Sequence, residues 1–212
     1  MQNIAKLCAD HLRVFLKDNY NTKLKASHAH ELVAAYFGYN SRAALLTDTK
    51  CCINNLSHAE IIVMMTDTFI DKRRKDLQGL PAELPDSYKL GEEVYTPLFS
   101  DQFWKSKYPP FRSFKKLAKF IIENSDLFQQ TFKSYKNLPM HHVVDVKSID
   151  DGMLLTVTHA HQTSKIEIVC HAVTTIKLKR VAGHIGYNNL QVSPITMLTG
   201  GARRTLLLGG AQ

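Results

Sequence analysis

Cations and aromatic rings alternate most densely in Phe103-Trp104-Lys105-Ser106-Lys107-Tyr108-Pro109-Pro110-Phe111-Arg112-Ser113-Phe114-Lys115-Lys116, with Lys119 close behind. Ammonium and guanidinium groups neutralise phosphates and release condensed counterions, while accessible rings stack on unpaired bases, so this mixture suits a nucleic-acid strand. The predicted contacts are Lys105, Lys107, Arg112, Lys115, Lys116 and Lys119, with Trp104 and Tyr108 as stacking rings. Phe111 and Phe114 follow the apolar period of a helix and belong to a core. A second run, Lys72-Arg73-Arg74-Lys75, falls at a predicted helix end, where cations complement the helix dipole by about 0.3–1 kcal/mol. Lys72, Arg73 and Arg74 join the binding set only if that run meets the first in space.

The histidines invite a metal reading, and His159-Ala160-His161 is its best case. Two residues apart on a strand, both rings share a face, and a third imidazole from a neighbouring strand would complete a zinc site. His171 is the candidate third ligand. However, Ile166, Ile168, Cys170, Ala172, Ile176 and Leu178 form an apolar stripe that places His171 on the opposite face. With a two-residue turn at Thr163-Ser164, His159 faces Ile168 and His161 faces Ile166, on that stripe. A different register would reverse that placement, His141, His142 and His184 are alternatives that the stripe does not support, and no metal or cofactor is expected.

Nucleophilic and phosphate-cradle signatures are missing from the sequence: it has no G-x-S-x-G, no P-loop and no dinucleotide fingerprint. Gly183-His184-Ile185-Gly186 is too short for a cradle, and His28, His30 and His58 read as capping-turn or surface side chains. The cysteines, Cys8, Cys51, Cys52 and Cys170, form no C-x-x-C and read as reduced thiols.

The formal charge of +8 is unevenly distributed: residues 1–104 hold 12 Lys+Arg against 13 Asp+Glu, whereas residues 105–212 hold 15 against 6. A basic half of this kind points to a polyanion, nucleic acid before an anionic surface. No stretch approaches the roughly 18 apolar residues of a membrane span, and Met1-Gln2-Asn3-Ile4-Ala5-Lys6 lacks a secretory apolar region. The expectation is a cytoplasmic protein without membrane contact.

These side chains need elements to position them. Ile4, Leu7, Cys8, Leu12, Phe15 and Leu16 recur at helical spacing up to about Lys17. A second helix is expected to start at a Ser27 cap and stop at Gly38, and a short third one to start at Ser41. The pair has the outline of a helix-turn-helix, but its second helix offers only Arg42 as a long polar reader, which favours packing. Ser57-His58-Ala59-Glu60 has the form of a capping box and predicts a helix carrying Ile61, Ile62, Met64, Met65, Phe69 and Ile70 inward. Prolines and glycines punctuate Leu77 to Pro110, which reads as a connection. A helix follows to about Lys136, broken near Asn124-Ser125. After Pro139 the period becomes two, with a turn at Asp150-Asp151-Gly152.

The stretch Lys25-Ala26-Ser27-His28-Ala29-His30-Glu31-Leu32-Val33-Ala34-Ala35-Tyr36-Phe37-Gly38-Tyr39-Asn40-Ser41-Arg42-Ala43-Ala44-Leu45 resembles the small helical segment of the bacterial glyoxalase-related domain family. There, a capped helix with a histidine, a Glu-Leu pair and a closing Gly-aromatic precedes a short helix ending in leucine. The resemblance covers roughly a tenth of the chain. It implies a bacterial helical module with no established reaction and carries over no catalytic residue.

The expected protein is α+β. A helical domain of about four helices spans residues 1–76, a Pro/Gly-rich connection 77–110, a basic amphipathic helix with an antiparallel meander or small barrel 111–199, and a flexible tail 200–212. The expected function is a non-enzymatic bacterial protein that associates with DNA or RNA through its cationic back half. The first rival is a protein-protein interaction module, an adaptor or inhibitor. The second is a metal-dependent enzyme using His159 and His161.

Overall fold

The computed structural model describes residues 3–99, 103–106, 108–131, 133, 140–162, 168–198 and 203–204. Lys107, the Thr163-Ser164 turn and most of the 200–212 tail lie outside them. The chain is α+β, with helices in its N-terminal half and an antiparallel sheet in its C-terminal half. It forms two compact units: Met1–Ser113 with Lys179–Asn188, and Phe114–Leu178 with Asn189–Gln212.

In the first unit, α1 (Ile4–Tyr20) is capped by Asn3, whose side chain accepts from the Lys6 N–H, and ends on left-handed Asn21. Its buried residues, Ile4, Ala5, Cys8, Ala9, Leu12 and Leu16, form one stripe. The second helix, α2 (Ala26–Tyr36), corrects one sequence expectation: Lys25 holds the cap position without a side-chain bond, and Ser27 is exposed. Ala29 and the run Leu32–Tyr36 are all buried, so packing rather than a cap stabilises its start. Gly38 turns the chain at φ +88°, where a β-carbon would also overlap His184. Ser41 then caps α3 (Arg42–Thr47), its hydroxyl accepting from the Ala44 N–H at 3.1 Å.

The capping box at Ser57 opens no helix. A 3₁₀ segment, Ile53–His58, leads into β1 (Ile61–Ile62), which pairs antiparallel with Tyr187 and Gly186. Ile61, Ile62 and Val63 are consecutive, β-branched and all buried, which suits a strand enclosed on both faces. Helix α4 (Asp67–Asp76) starts only after Thr66.

The stretch expected as a connection holds α5 (Ser87–Tyr95), capped by Asp86 through the Lys89 N–H, and a 3₁₀ turn at Thr96–Phe99. The breakers punctuate it instead of dissolving it: Pro85 precedes the cap and Pro97 follows the last turn. Gly91 lies inside α5 because a β-carbon there would sit 3.1 Å from the Tyr36 ring. Leu90, Val94, Tyr95, Leu98 and Trp104 join the α1 and α2 residues in one core.

The second unit begins with α6 (Phe114–Glu123) and α7 (Asp126–Thr131), separated at Asn124-Ser125 as the sequence suggests. Leu117, Ala118 and Ile122 form the buried face of α6, while Lys115, Lys116 and Lys119 are exposed. The strands β2 (Met140–Ile149) and β3 (Gly152–Gln162) form a hairpin whose register runs from Ile149↔Gly152 back to Met140↔His161. In the sheet, β4 (Ile168–Ala182) and β5 (Gly186–Val192) extend the order to β1-β5-β4-β3-β2, which leaves β2 at an edge. Two short strands, β6 (Thr196–Met197) and β7 (Arg203–Arg204), also pair with β4.

Candidate functional site

The hairpin register of the second unit places His142 directly across from His159. His159 is fully buried, with its Nδ1 3.2 Å from Nδ1 of His142 and its Nε2 2.9 Å from the Thr174 hydroxyl. Phe128 of α7 packs on both rings, at centroid distances of 4.9 Å to His159 and 5.4 Å to His142. Burial, aided by the charge His142 can carry, pushes the pKa of His159 down to about 4, so near neutral pH the ring is uncharged. Burial also lowers the pKa of His142; Glu123 opposes this, and Lys119 and His141 reinforce it.

Two neutral imidazoles in line with a hydroxyl admit two complementary proton arrangements. If Thr174 accepts from His159 Nε2–H, then His159 Nδ1 accepts from His142 Nδ1–H, and His142 presents a bare Nε2. Reversing every bond leaves His142 Nε2–H as a donor. Either way, the Nδ1 contact to a buried ring holds His142 in place.

His142 also lines a cavity of about 400 Å³ with His141, Val144, Lys115, Lys116, Lys119 and Glu123. Helix α6 lies against β2 and β3 and supplies the cations, while the edge strand β2 supplies the imidazoles. Lys119 is 3.6 Å from Glu123, an exposed i,i+4 pair worth a few tenths of a kcal/mol. The site therefore joins ammonium groups, which attract an oxyanion, to two imidazoles able to give or take a proton. No protein-family model, curated protein or solved structure matches the chain.

The other predicted contacts have different surroundings. Arg112 lies 3.4 Å from Glu92 and stacks 4.0 Å from the Tyr88 ring centroid. Arg73 is paired with Glu31 at 3.0 Å, and Arg74 donates to the Ser87 hydroxyl, which itself donates to Asp71. Lys72 is exposed, as is Lys105, which borders a cleft with Phe99, Trp104, Ser106 and Pro110. Trp104 does not serve as a stacking ring: it is 8% exposed, and its Nε1–H donates to the Ala59 carbonyl at 3.0 Å. Tyr108 is half-buried.

His159 meets Thr174, whereas the side chain of Ile168, its expected neighbour, lies outside the described residues. Thr174 is buried in alternation with Ala172, Ile176 and Leu178, so His159 does lie on the apolar face. The side chains of His161, Cys170 and His171 lie outside the described residues. Among the described residues, no group of three or more His, Cys, Asp and Glu side chains could hold a metal ion.

A second polar cluster belongs to the first unit. Asp48 accepts from the Tyr39 hydroxyl at 2.7 Å and from the Cys51 N–H at 3.0 Å, and lies 3.4 Å from Arg180. Burial works to raise the Asp48 pKa, but these partners hold it below the usual carboxylate range. Arg180 also reaches the His184 ring, while the Gly183 and His184 N–H groups donate to the Cys51 and Phe37 carbonyls. The Arg180, Gly183 and His184 contacts fasten the β4–β5 turn, and both carboxylate oxygens of Asp48 are engaged, so the cluster serves as a clamp.

Proposed function

We propose that the C-terminal unit holds a nucleic-acid strand by its phosphates, with Lys115, Lys116 and Lys119 as the contacts. The observation that carries this reading is their convergence on one cavity beside His141 and His142. Three ammonium groups from consecutive turns of one helix neutralise neighbouring phosphates and release their counterions. Two imidazoles add hydrogen bonds to phosphate or sugar oxygens without specifying sequence. Arg73 and Arg112 stay with their carboxylates and contribute little. Binding is backbone-directed, with DNA and RNA both accommodated at this level.

The test is fluorescence anisotropy with a short labelled single strand. Replacing Lys115, Lys116 and Lys119 together by Glu is expected to weaken binding at least about tenfold near 100 mM salt. A charge-matched replacement of the exposed Lys6, Lys17 and Lys50 in the helical unit serves as the control, expected to leave affinity within about twofold. Equal affinity of the α6 variant and the wild type would overturn the reading.

A further inference from the structure

We propose that the cavity bordered by α6 and β2 cleaves RNA by metal-independent transphosphorylation, with His142 as general base, His141 as general acid and the α6 lysines stabilising the phosphorane. This goes beyond binding and rests on a nucleic-acid strand lying at Lys115, Lys116 and Lys119. The geometry points to it through three features that simple phosphate binding does not require. Two imidazoles line one cavity, so a base and an acid can flank a single scissile phosphate. His142 is tethered at Nδ1 by a fully buried ring that is itself bonded to Thr174, the arrangement of a base oriented by a second group. Finally, cations line the same cavity, where the transition state gathers negative charge on its non-bridging oxygens.

The step balances without a co-reactant. With Thr174 accepting from His159 and His159 accepting from His142, the bare Nε2 of His142 removes the proton of a ribose 2′-hydroxyl. The 2′-oxygen forms a bond to phosphorus, and the bond from phosphorus to the 5′-oxygen of the next nucleotide breaks. Doubly protonated His141 gives its proton to that departing oxygen. The products are a 2′,3′-cyclic phosphate and a 5′-hydroxyl, and proton exchange with water resets both rings. The 2′-hydroxyl confines the reaction to RNA, and because duplex geometry does not place it in line, the substrate is a single strand.

The full chain, purified without an affinity tag, is incubated with a labelled single-stranded oligoribonucleotide in excess EDTA. Cleavage to cyclic-phosphate ends is expected, with no cleavage of the corresponding deoxyribonucleotide. His141→Ala removes an exposed ring, and His142→Asn keeps a hydrogen-bonding group towards His159; each is expected to slow cleavage about 10²- to 10⁴-fold while retaining the wild-type melting profile. A 2′-O-methyl strand, which cannot react, reports binding separately. If that strand binds through the α6 lysines while RNA stays intact, catalysis is overturned and binding stands. If neither binding nor cleavage occurs, both readings fall. Cleavage that persists equally in the His142→Asn preparation belongs to a contaminant and overturns the assignment.

Discussion

A fully buried histidine is a costly residue to keep unless both its nitrogens are bonded, and His159 satisfies both, through His142 and Thr174. Because burial depresses its pKa from 6.5 to about 4, the unfolded chain takes up a proton before the folded one does. Stability is therefore undiminished above about pH 6.5, falls as pH drops through that value, and stops falling from this source near pH 4. Between about pH 7 and pH 5 the loss is on the order of 2 kcal/mol. Denaturant titrations at the two pH values are expected to show it, with a smaller difference for His159→Gln; an unchanged difference would contradict this account of the ring. The pairing of His142 with His159 was legible in the sequence, since counting back from the Asp150-Asp151-Gly152 turn sets the two opposite each other. The bond to Thr174 was not legible, because it depends on how β3 pairs with β4, and a turn at Thr163-Ser164 points His159 to Ile168 instead.

At the scale of elements, capping signals worked where the downstream residues agreed with them. Ser41 precedes Ala43, Ala44, Leu45 and Leu46, good helix formers of which only Leu45 is buried, and there the cap forms. Ser57 precedes two isoleucines and a valine, and the demand to bury three β-branched side chains in succession overrides its capping pattern. The contrast yields a paired prediction. Ser41→Ala is expected to cost about 1 kcal/mol and Ser27→Ala less than about 0.5 kcal/mol, measured by chemical denaturation. Equal costs would show that the cap at Ser41 is not the stabilising feature. The α5 helix is hidden by composition, because Pro85 and Pro97 flank its nine residues and Gly91 lies within them.

At the scale of the molecule, charge asymmetry between the sequence halves does not say which cations pair with carboxylates. Arg112, counted with the basic half, belongs to the first unit and pairs with Glu92 there. The α6 lysines face a cavity whose acidic lining residue is Glu123. This division predicts that Arg112→Gln lowers the melting temperature and leaves nucleic-acid affinity within about twofold, since a half-exposed ion pair and a Tyr88 stack are lost while no phosphate contact is. The central claim, that phosphates meet the α6 lysines, is tested most directly by the salt dependence of single-strand binding. For wild type, the logarithm of the binding constant should fall against the logarithm of salt concentration with a slope of about −2, the value for three neutralised phosphates on a single strand. The Lys115, Lys116 and Lys119 to Glu variant should lose nearly all of that slope; a wild-type slope near zero, or a slope the variant retains, contradicts the claim.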